Sequence, residues 1–302
     1  MDRIKIILDT DIGDDCDDAF ALDVLLHSPE IEILGITTVY KNTFLRSKIA
    51  AYMLSSMNMN NIPVYSGIDK PIACDVRRMK VETEDYLGNI RIRDYDDIMF
   101  EENNVHLDAV DFILESINRN KNELVILAIG PLTNIALAYK KDPKTFSYLK
   151  EIVVMGGVFY KSCAEWNIMC DPEAASIVFG SGVPIKAISL DVTMKTALTN
   201  EMIDYFRSLN TPIHKIVATM MNRWMNDAKR NAVMHDPLAA VCLFNDCCTY
   251  IEKSVEVGLI GEQRAMTKMI ESDSNRSLVK ISTDVNMDCF FKTLKERIKD
   301  ES

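Results

Sequence analysis

The sequence predicts an α/β fold: a single domain over residues 1–302, built on an open, mostly parallel sheet flanked by helices, with additional helices and strands in the C-terminal third. Three observations carry this reading. Short apolar, β-rich runs alternate with stretches of helical periodicity from residue 4 to residue 190, the pattern of repeated βα units. Gly130-Pro131 and Gly156-Gly157 stop two of those runs where a strand must give way to a turn. No internal repeat and no low-complexity linker divides the 302 residues, and 48% hydrophobic residues suffice for one large core.

The chain opens with a strand over 4–8, an acidic turn and a helix over 19–26. A second strand is predicted over 31–39 and a helix over 45–57. The stretch 71–104 is polar, with little periodicity, and reads as a long loop or lid. A helix over 105–117 leads to a strand over 124–129, and a new helix begins after Gly130-Pro131. A strand over 152–155, a helix over 172–179 and a strand over 185–190 continue the alternation, which makes the sheet largely parallel and the class Rossmann-like. Past Thr199 the pattern changes to helices over 201–209, 212–228 and 236–244, strands over 254–260 and 278–282, and a last helix over 287–298.

Composition excludes several functions. Lys and Arg total 34 against 45 Asp and Glu, so a formal charge of −11 repels a phosphate backbone, and no basic run offsets it locally; nucleic acid is not an expected partner. No span is apolar for long enough to cross a bilayer, and the opening residues carry neither the apolar core nor the cleavage site of a signal peptide. The 8 cysteines are scattered, with Cys247 and Cys248 adjacent, in a chain too large to need a disulfide framework. A cytoplasmic location is therefore expected. Cys16 lies inside the most acidic motif, where neighbouring carboxylates suppress the thiolate, and it reads as a small core residue.

That motif is Asp9-Thr10-Asp11-Ile12-Gly13-Asp14-Asp15-Cys16-Asp17-Asp18, which sets six acids between the first strand and the first helix. One or two would serve as turn or cap residues; six repel one another unless a cation neutralises them, and an all-oxygen anionic set selects calcium or magnesium over zinc. An EF-hand is excluded, because counting from Asp9 puts Gly13 at a ligand position and Phe20 where the bidentate Glu belongs. An aspartate-nucleophile phosphatase also begins with a strand and Asp-x-Asp, and stays open as an alternative. Other candidates fall at the ends of later strands: Asn42, Ile129-Gly130, Met155-Gly156-Gly157 and Asp191. In an open α/β sheet that edge binds ligands. Beyond them lie Glu165-Trp166-Asn167, able to bond hydroxyls and stack on a ring, Asp171-Pro172-Glu173 at a helix start, and His235-Asp236-Pro237, where Asp236 is equally an N-cap before a proline at the first helical position.

From Ile4 to about Phe290 this series resembles the inosine/uridine-preferring nucleoside hydrolase family. The acidic loop, Thr37-Thr38-Val39 with Asn42, Gly130-Pro131-Leu132-Thr133-Asn134, Met155-Gly156-Gly157, Glu165-Trp166-Asn167, Asp171-Pro172-Glu173-Ala174 and His235-Asp236-Pro237 follow in the family's order. The resemblance implies a calcium ion held by Asp11, by one or both of Asp17 and Asp18, by the main-chain carbonyl of Ile129, and by Asp236. It implies a ribose site formed by Asp17, Asn42, Met155, Glu165 and Asn167, with Trp166 and His235 beside the leaving base. There are departures. Ile12 replaces the family's usual Pro, and Asp14-Asp15-Cys16 lengthen the loop, so the metal contact is open among Asp15, Asp17 and Asp18. The flap, rich in Gly and His elsewhere in the family, offers here Tyr86-Leu87-Gly88-Asn89.

The implied reaction is hydrolysis of the N-glycosidic bond of a ribonucleoside, with calcium-bound water, Asp11 as base and His235 as proton donor. A small-molecule ribonucleoside is then the partner, and the chain is expected to form a homo-oligomer, dimer or tetramer. A non-catalytic nucleoside or ribose sensor is the other alternative.

Overall fold

A computed structural model of the chain describes residues 3–73, 105–271 and 278–300. Among these, ten strands form one sheet in the order β4-β3-β2-β1-β5-β6-β7-β10-β8-β9. The strands are β1 Ile4–Thr10, β2 Ile31–Thr38, β3 Val64–Ser66, β4 Val105–His106, β5 Val125–Ala128, β6 Glu151–Met155, β7 Ile185–Ile188, β8 Cys248–Val257, β9 Thr267–Ile270 and β10 Val279–Val285. From β4 to β10 every neighbour is parallel; β8 and β9 add an antiparallel edge. The single α/β domain expected from the sequence is therefore present.

Helices cover both faces. We number them α1 Asp17–Leu26, α2 Thr43–Ser56, α3 Ala109–Arg119, α4 Thr133–Lys141, α5 Pro143–Phe146, α6 Trp166–Cys170, α7 Pro172–Phe179, α8 Leu190–Thr193, α9 Asn200–Ser208, α10 Pro212–Ala228, α11 His235–Val241 and α12 Met287–Arg297. Strand parity decides which core each residue joins. Ile6 and Leu8 of β1, Val125 and Leu127 of β5, and Val153 and Met155 of β6 enter one cluster with residues of α1, α2 and α9 to α12. Ile7, Ile126, Ile152 and Val154 point the other way, into a second cluster with α3, α4 and α7. Burial on both faces is why these strands read as unbroken apolar runs rather than alternating ones.

The chain lays β1 to β4 outward in one direction, then returns to place β5 on the free side of β1. This reversal opens a crevice at the C-terminal ends of β1 and β5, where an open α/β sheet binds its ligand. Asp9 braces the crevice from below. Its buried carboxylate accepts from Thr37 Oγ1 (2.5 Å) and Asn134 Nδ2 (2.8 Å), and burial still pushes its pKa up to about 7. Asn134 also donates to the Thr38 carbonyl (3.0 Å) and accepts from Ile68 N (2.9 Å), so one amide ties β1, β2 and the segment after β3 to α4. No side chain fits at Gly67, where a Cβ would come 2.4 Å from the Thr38 carbonyl and from Asn134.

Several boundaries differ from the sequence reading. The helix expected over 105–117 starts at Ala109, because Val105 and His106 pair with β3 and Asp108 takes a left-handed φ of 72° that separates strand from helix. The strand expected over 185–190 ends at Ile188, and Leu190 opens α8. The strand expected over 254–260 spans Cys248–Val257, stopping where the Gly258 N–H turns to the Met266 carbonyl (2.9 Å) and β9 begins the return. Strands β3, β4 and β9, two to four residues each, lie below the length at which periodicity speaks. Of the expected lid over 71–104, residues 74–104 with Tyr86-Leu87-Gly88-Asn89 lie outside the described residues.

Replacing Asn134 by Ala leaves the Ile68 N–H without its acceptor and removes one of two donors from both Asp9, which keeps Thr37, and the Thr38 carbonyl, which keeps the Gly67 N–H (3.0 Å). We expect a loss of about 3 kcal/mol in denaturant unfolding, since each unpaired buried polar group costs about 1–3 kcal/mol. A loss below about 1 kcal/mol would contradict the bracing role.

Candidate active site

The acidic loop leaves β1 and runs into α1, whose first two residues are Asp17 and Asp18. Negative charge is favoured at that end of a helix, where unpaired N–H groups face outward. Asp11, Asp17, Asp18 and Asp236 are all buried, at 3–6% exposure. Asp236 arrives from the first turn of α11, which packs on α1, and its N–H donates to Asp17 Oδ2 (3.1 Å). Thr10 Oγ1 donates to Asp18 Oδ1 (2.5 Å). One oxygen from each of Asp17, Asp18 and Asp236 lies within 4.8 Å of the others. Desolvation first, and then the neighbouring carboxylates, push the pKa of Asp11, Asp17 and Asp236 well above the usual range; Asp18 rises to about 7. A buried anionic cluster of this kind fits a cation, and its all-oxygen donors fit a hard divalent one.

The lengthened loop carries its own counter-charge. Arg46 of α2 is buried, donates from Nη1 to the main-chain carbonyls of Asp11 and Ile12, from Nε to the Tyr40 carbonyl (2.8 Å), and from Nη2 to Asp14 Oδ2 (2.9 Å). Lys41 Nζ reaches the same Asp14 oxygen at 3.3 Å. Tyr40 and Lys41 sit at φ of 67° and 59°, a conformation that non-glycine residues adopt at a cost. Asp14 is thus absorbed by two cations, while Asp15 lines the cavity and caps its neighbour, its Oδ1 accepting from Cys16 N (2.5 Å).

A cavity of about 560 Å³ opens above these carboxylates. On its floor Asn167 Nδ2 donates to the carbonyls of Ile129 (3.0 Å) and Met155 (3.2 Å). Glu165 caps α6, its carboxylate accepting from the N–H groups of Asn167 (2.9 Å), Ile168 (3.1 Å) and Gly157 (3.3 Å), and burial raises its pKa despite these bonds. Trp166 stands on the lining, part exposed, with Lys41 Nζ 5.8 Å from its ring centre.

Other lining residues differ in chemistry. His235 Nδ1 lies 2.7 Å from Thr193 Oγ1, and burial, followed by the positive charge of Arg230, pushes the imidazole down to about 4, so the ring is neutral near pH 7. The Arg230 guanidinium lies over the Trp224 ring at 5.1 Å, and both line the cavity. One cavity therefore brings a buried carboxylate cluster together with aromatic, imidazole and guanidinium groups, Asp227 also being in its lining.

Of the residues singled out in the sequence, Asp11, Asp17, Asp18, Ile129, Met155, Glu165, Trp166, Asn167, His235 and Asp236 all line this cavity. Asn42 does not: it is exposed and caps α2, accepting from Leu45 N (3.1 Å). Asp9, the nucleophile of the phosphatase reading, is fully buried and held by Thr37 and Asn134, which removes it from any substrate. The sequence reading missed the role of Arg46, although a signal existed: the residue falls on the buried stripe of α2 shared by Ile49, Ala50 and Met53, where a lone cation must serve buried acceptors. Trp224 and Arg230 gave no comparable signal, being one more aromatic and one more cation near the end of a long helix.

Named proteins share much of this sequence and fold. "Pyrimidine-specific ribonucleoside hydrolase RihB" of Escherichia coli O1:K1 is 32% identical over 74% of this chain and 71% of its own. "Probable uridine nucleosidase 2" of Arabidopsis thaliana is 30% identical over 98% of both chains. Among solved structures, the purine-preferring ribonucleoside hydrolase from Gardnerella vaginalis superposes with a TM-score of 0.83 at 28% identity, over 97% of this chain and 98% of that one. The family profile described as inosine-uridine preferring nucleoside hydrolase matches residues 6–292, and the chain belongs to that family, whose enzymes hydrolyse the N-glycosidic bond of ribonucleosides.

Proposed function

We propose that this hydrolase uses calcium, held by Asp11, Asp17, Asp18, Asp236 and the main-chain carbonyl of Ile129, with Asp11 as general base and His235 at the leaving base. The observation that supports the reading is that one cavity is lined by the buried carboxylate cluster and by Trp166, Trp224, Arg230 and His235 together. When bound, calcium supplies a Lewis acid that acidifies water and a grip for the ribose 2′ and 3′ hydroxyls.

The remaining work falls to side chains. Asp11 accepts the proton of the attacking water, and Arg46 holds its main chain in place. Asp17, Glu165, Asn167 and Met155 surround the sugar; we leave Asn42 out of this set because it caps α2 away from the cavity. The carboxylates also stabilise positive charge that develops on the ribose as the bond breaks. Trp166 offers its face to the substrate. Negative charge gathers on the departing base, where Arg230 provides a cation and the neutral His235 an N–H donor. The same carboxylates repel a 5′-phosphate, which favours nucleosides over nucleotides.

A cytoplasmic location is in keeping with free thiols at Cys242 and Cys248, whose sulfurs lie 3.6 Å apart without a bond. Assembly as a dimer or tetramer belongs to the same reading. Among the described residues no helix is long and apolar enough to cross a membrane.

Two assays test the roles. A ribonucleoside drawn from inosine, uridine, cytidine and adenosine should release reducing sugar, and its 2′-deoxy analogue should react at least about 10²-fold more slowly, because loss of the hydroxyl leaves buried polar groups unpaired. Equal rates would mean that the site does not read the ribose diol. The second assay uses His235→Ala, which should slow nucleosides by about 10² to 10⁴-fold and leave a p-nitrophenyl riboside nearly unaffected, its leaving group needing no proton. Equal slowing of both substrates would make His235 a positioning residue.

A further inference from the structure

We propose a second metal site, selective for zinc or a similar borderline divalent ion, formed by Asp23, His27 and His214. It lies further along α1 than the acidic cluster and shares no residue with it. Asp23 belongs to α1, His27 caps the C-terminal end of that helix, and His214 comes from the first turn of α10. One ligand atom from each lies within 4.8 Å of the others.

Unpaired buried ligand atoms point to a cation. Asp23 is 0% exposed and His214 2% exposed, and neither Asp23 carboxylate oxygen nor His214 Nε2 has a hydrogen-bond partner. His214 Nδ1 lies 2.7 Å from Thr211 Oγ1 and 3.1 Å from Asp300 Oδ1. An ionised carboxylate only accepts, so Nδ1 carries a proton toward Asp300 and Nε2 is the ring's remaining ligand atom. Nε2 faces Asp23 Oδ2 at 3.7 Å, too long for a hydrogen bond. A cation between them would answer both buried atoms.

The geometry suits zinc. His27 Nδ1 lies 2.9 Å from Asp23 Oδ1, and the two imidazoles stack with centres 5.5 Å apart. Bonds of about 2.0–2.1 Å place tetrahedral ligand atoms about 3.3 Å apart, between the 2.9 and 3.7 Å seen here. To ligate, His27 Nδ1 gives up its contact with the Asp23 carbonyl (3.0 Å), which still takes the His27 main-chain N–H (3.2 Å). Asp300 on His214 Nδ1 is the outer carboxylate that commonly orients a ligating histidine. Two nitrogens and one carboxylate prefer zinc to calcium, the reverse of the all-oxygen cluster. The ion would staple α1 to α10, the helices that carry Asp17, Asp18 and Trp224 of the cavity lining.

The test is zinc binding by the full-length protein in excess calcium, which keeps hard-ion sites filled, with cobalt(II) as a spectroscopic substitute. We expect one zinc per chain with micromolar or tighter affinity, a rise in Tm, and visible cobalt bands of a four-coordinate site containing nitrogen. His214→Gln and His27→Gln should each weaken zinc by at least about 10²-fold, and Asp300→Ala by about 10-fold, as loss of an outer partner does. His106→Gln, on exposed β4, should change nothing. His27 is part exposed at a helix end, so His27→Gln carries the test should His214→Gln fail to fold. Zinc uptake that is absent, weaker than millimolar, or unchanged in both His214→Gln and His27→Gln overturns the proposal.

Discussion

Mutual repulsion of buried carboxylates is the constraint on which the rest of this structure depends. Asp11, Asp17, Asp18 and Asp236 are taken out of water and set against one another, and the pKa of each is driven upward. Isolated, any of them would protonate or stay outside the core. Together they define a place where a divalent cation is worth more than several protons. The fold serves that place: the reversal between β4 and β5 opens the crevice, β1 delivers Asp11, and α1 and α11 pack so that Asp236 meets Asp17 and Asp18.

The surrounding residues divide the charge. Arg46 binds the loop mainly through main-chain carbonyls and pairs with Asp14, and its charge also eases Asp11 and Asp18, though not enough to offset their burial. Asp9 and Asn134 hold the strands beneath. His235 is kept neutral by burial and by Arg230. A cavity of about 560 Å³ is lined by both the carboxylate cluster and the Arg230, Trp224 and His235 side chains, groups suited to the opposite charges that a breaking N-glycosidic bond places on sugar and base.

How much of this the sequence disclosed follows from the range of each interaction. Strands buried on both faces and helices with an apolar stripe announce themselves as unbroken or periodic apolar runs, so β1, β2, β5, β6 and β7 of the parallel sheet were legible from residue order alone. The short strands β3, β4 and β9 exist only because a longer neighbour offers them a ladder. The acidic loop stood out because six acids in ten residues are hard to explain as caps, and ten of the eleven proposed site residues meet in one cavity. Asn42 followed its local preference for a helix cap instead. Arg46 lay hidden in a helix pattern, and Arg230 with Trp224 in another, since what they do depends on partners distant in the chain.

The central claim is that the acidic cluster is a calcium site on which turnover depends. Calcium binding to chelator-stripped protein, followed together with ribose release, measures it most directly. The account predicts one calcium per chain at this cluster, loss of turnover on stripping and recovery on adding calcium back, with binding weakened at least about 10²-fold in Asp236→Asn, where a charged ligand becomes neutral. Stripped protein that turns over at full rate with an unchanged Tm would contradict it.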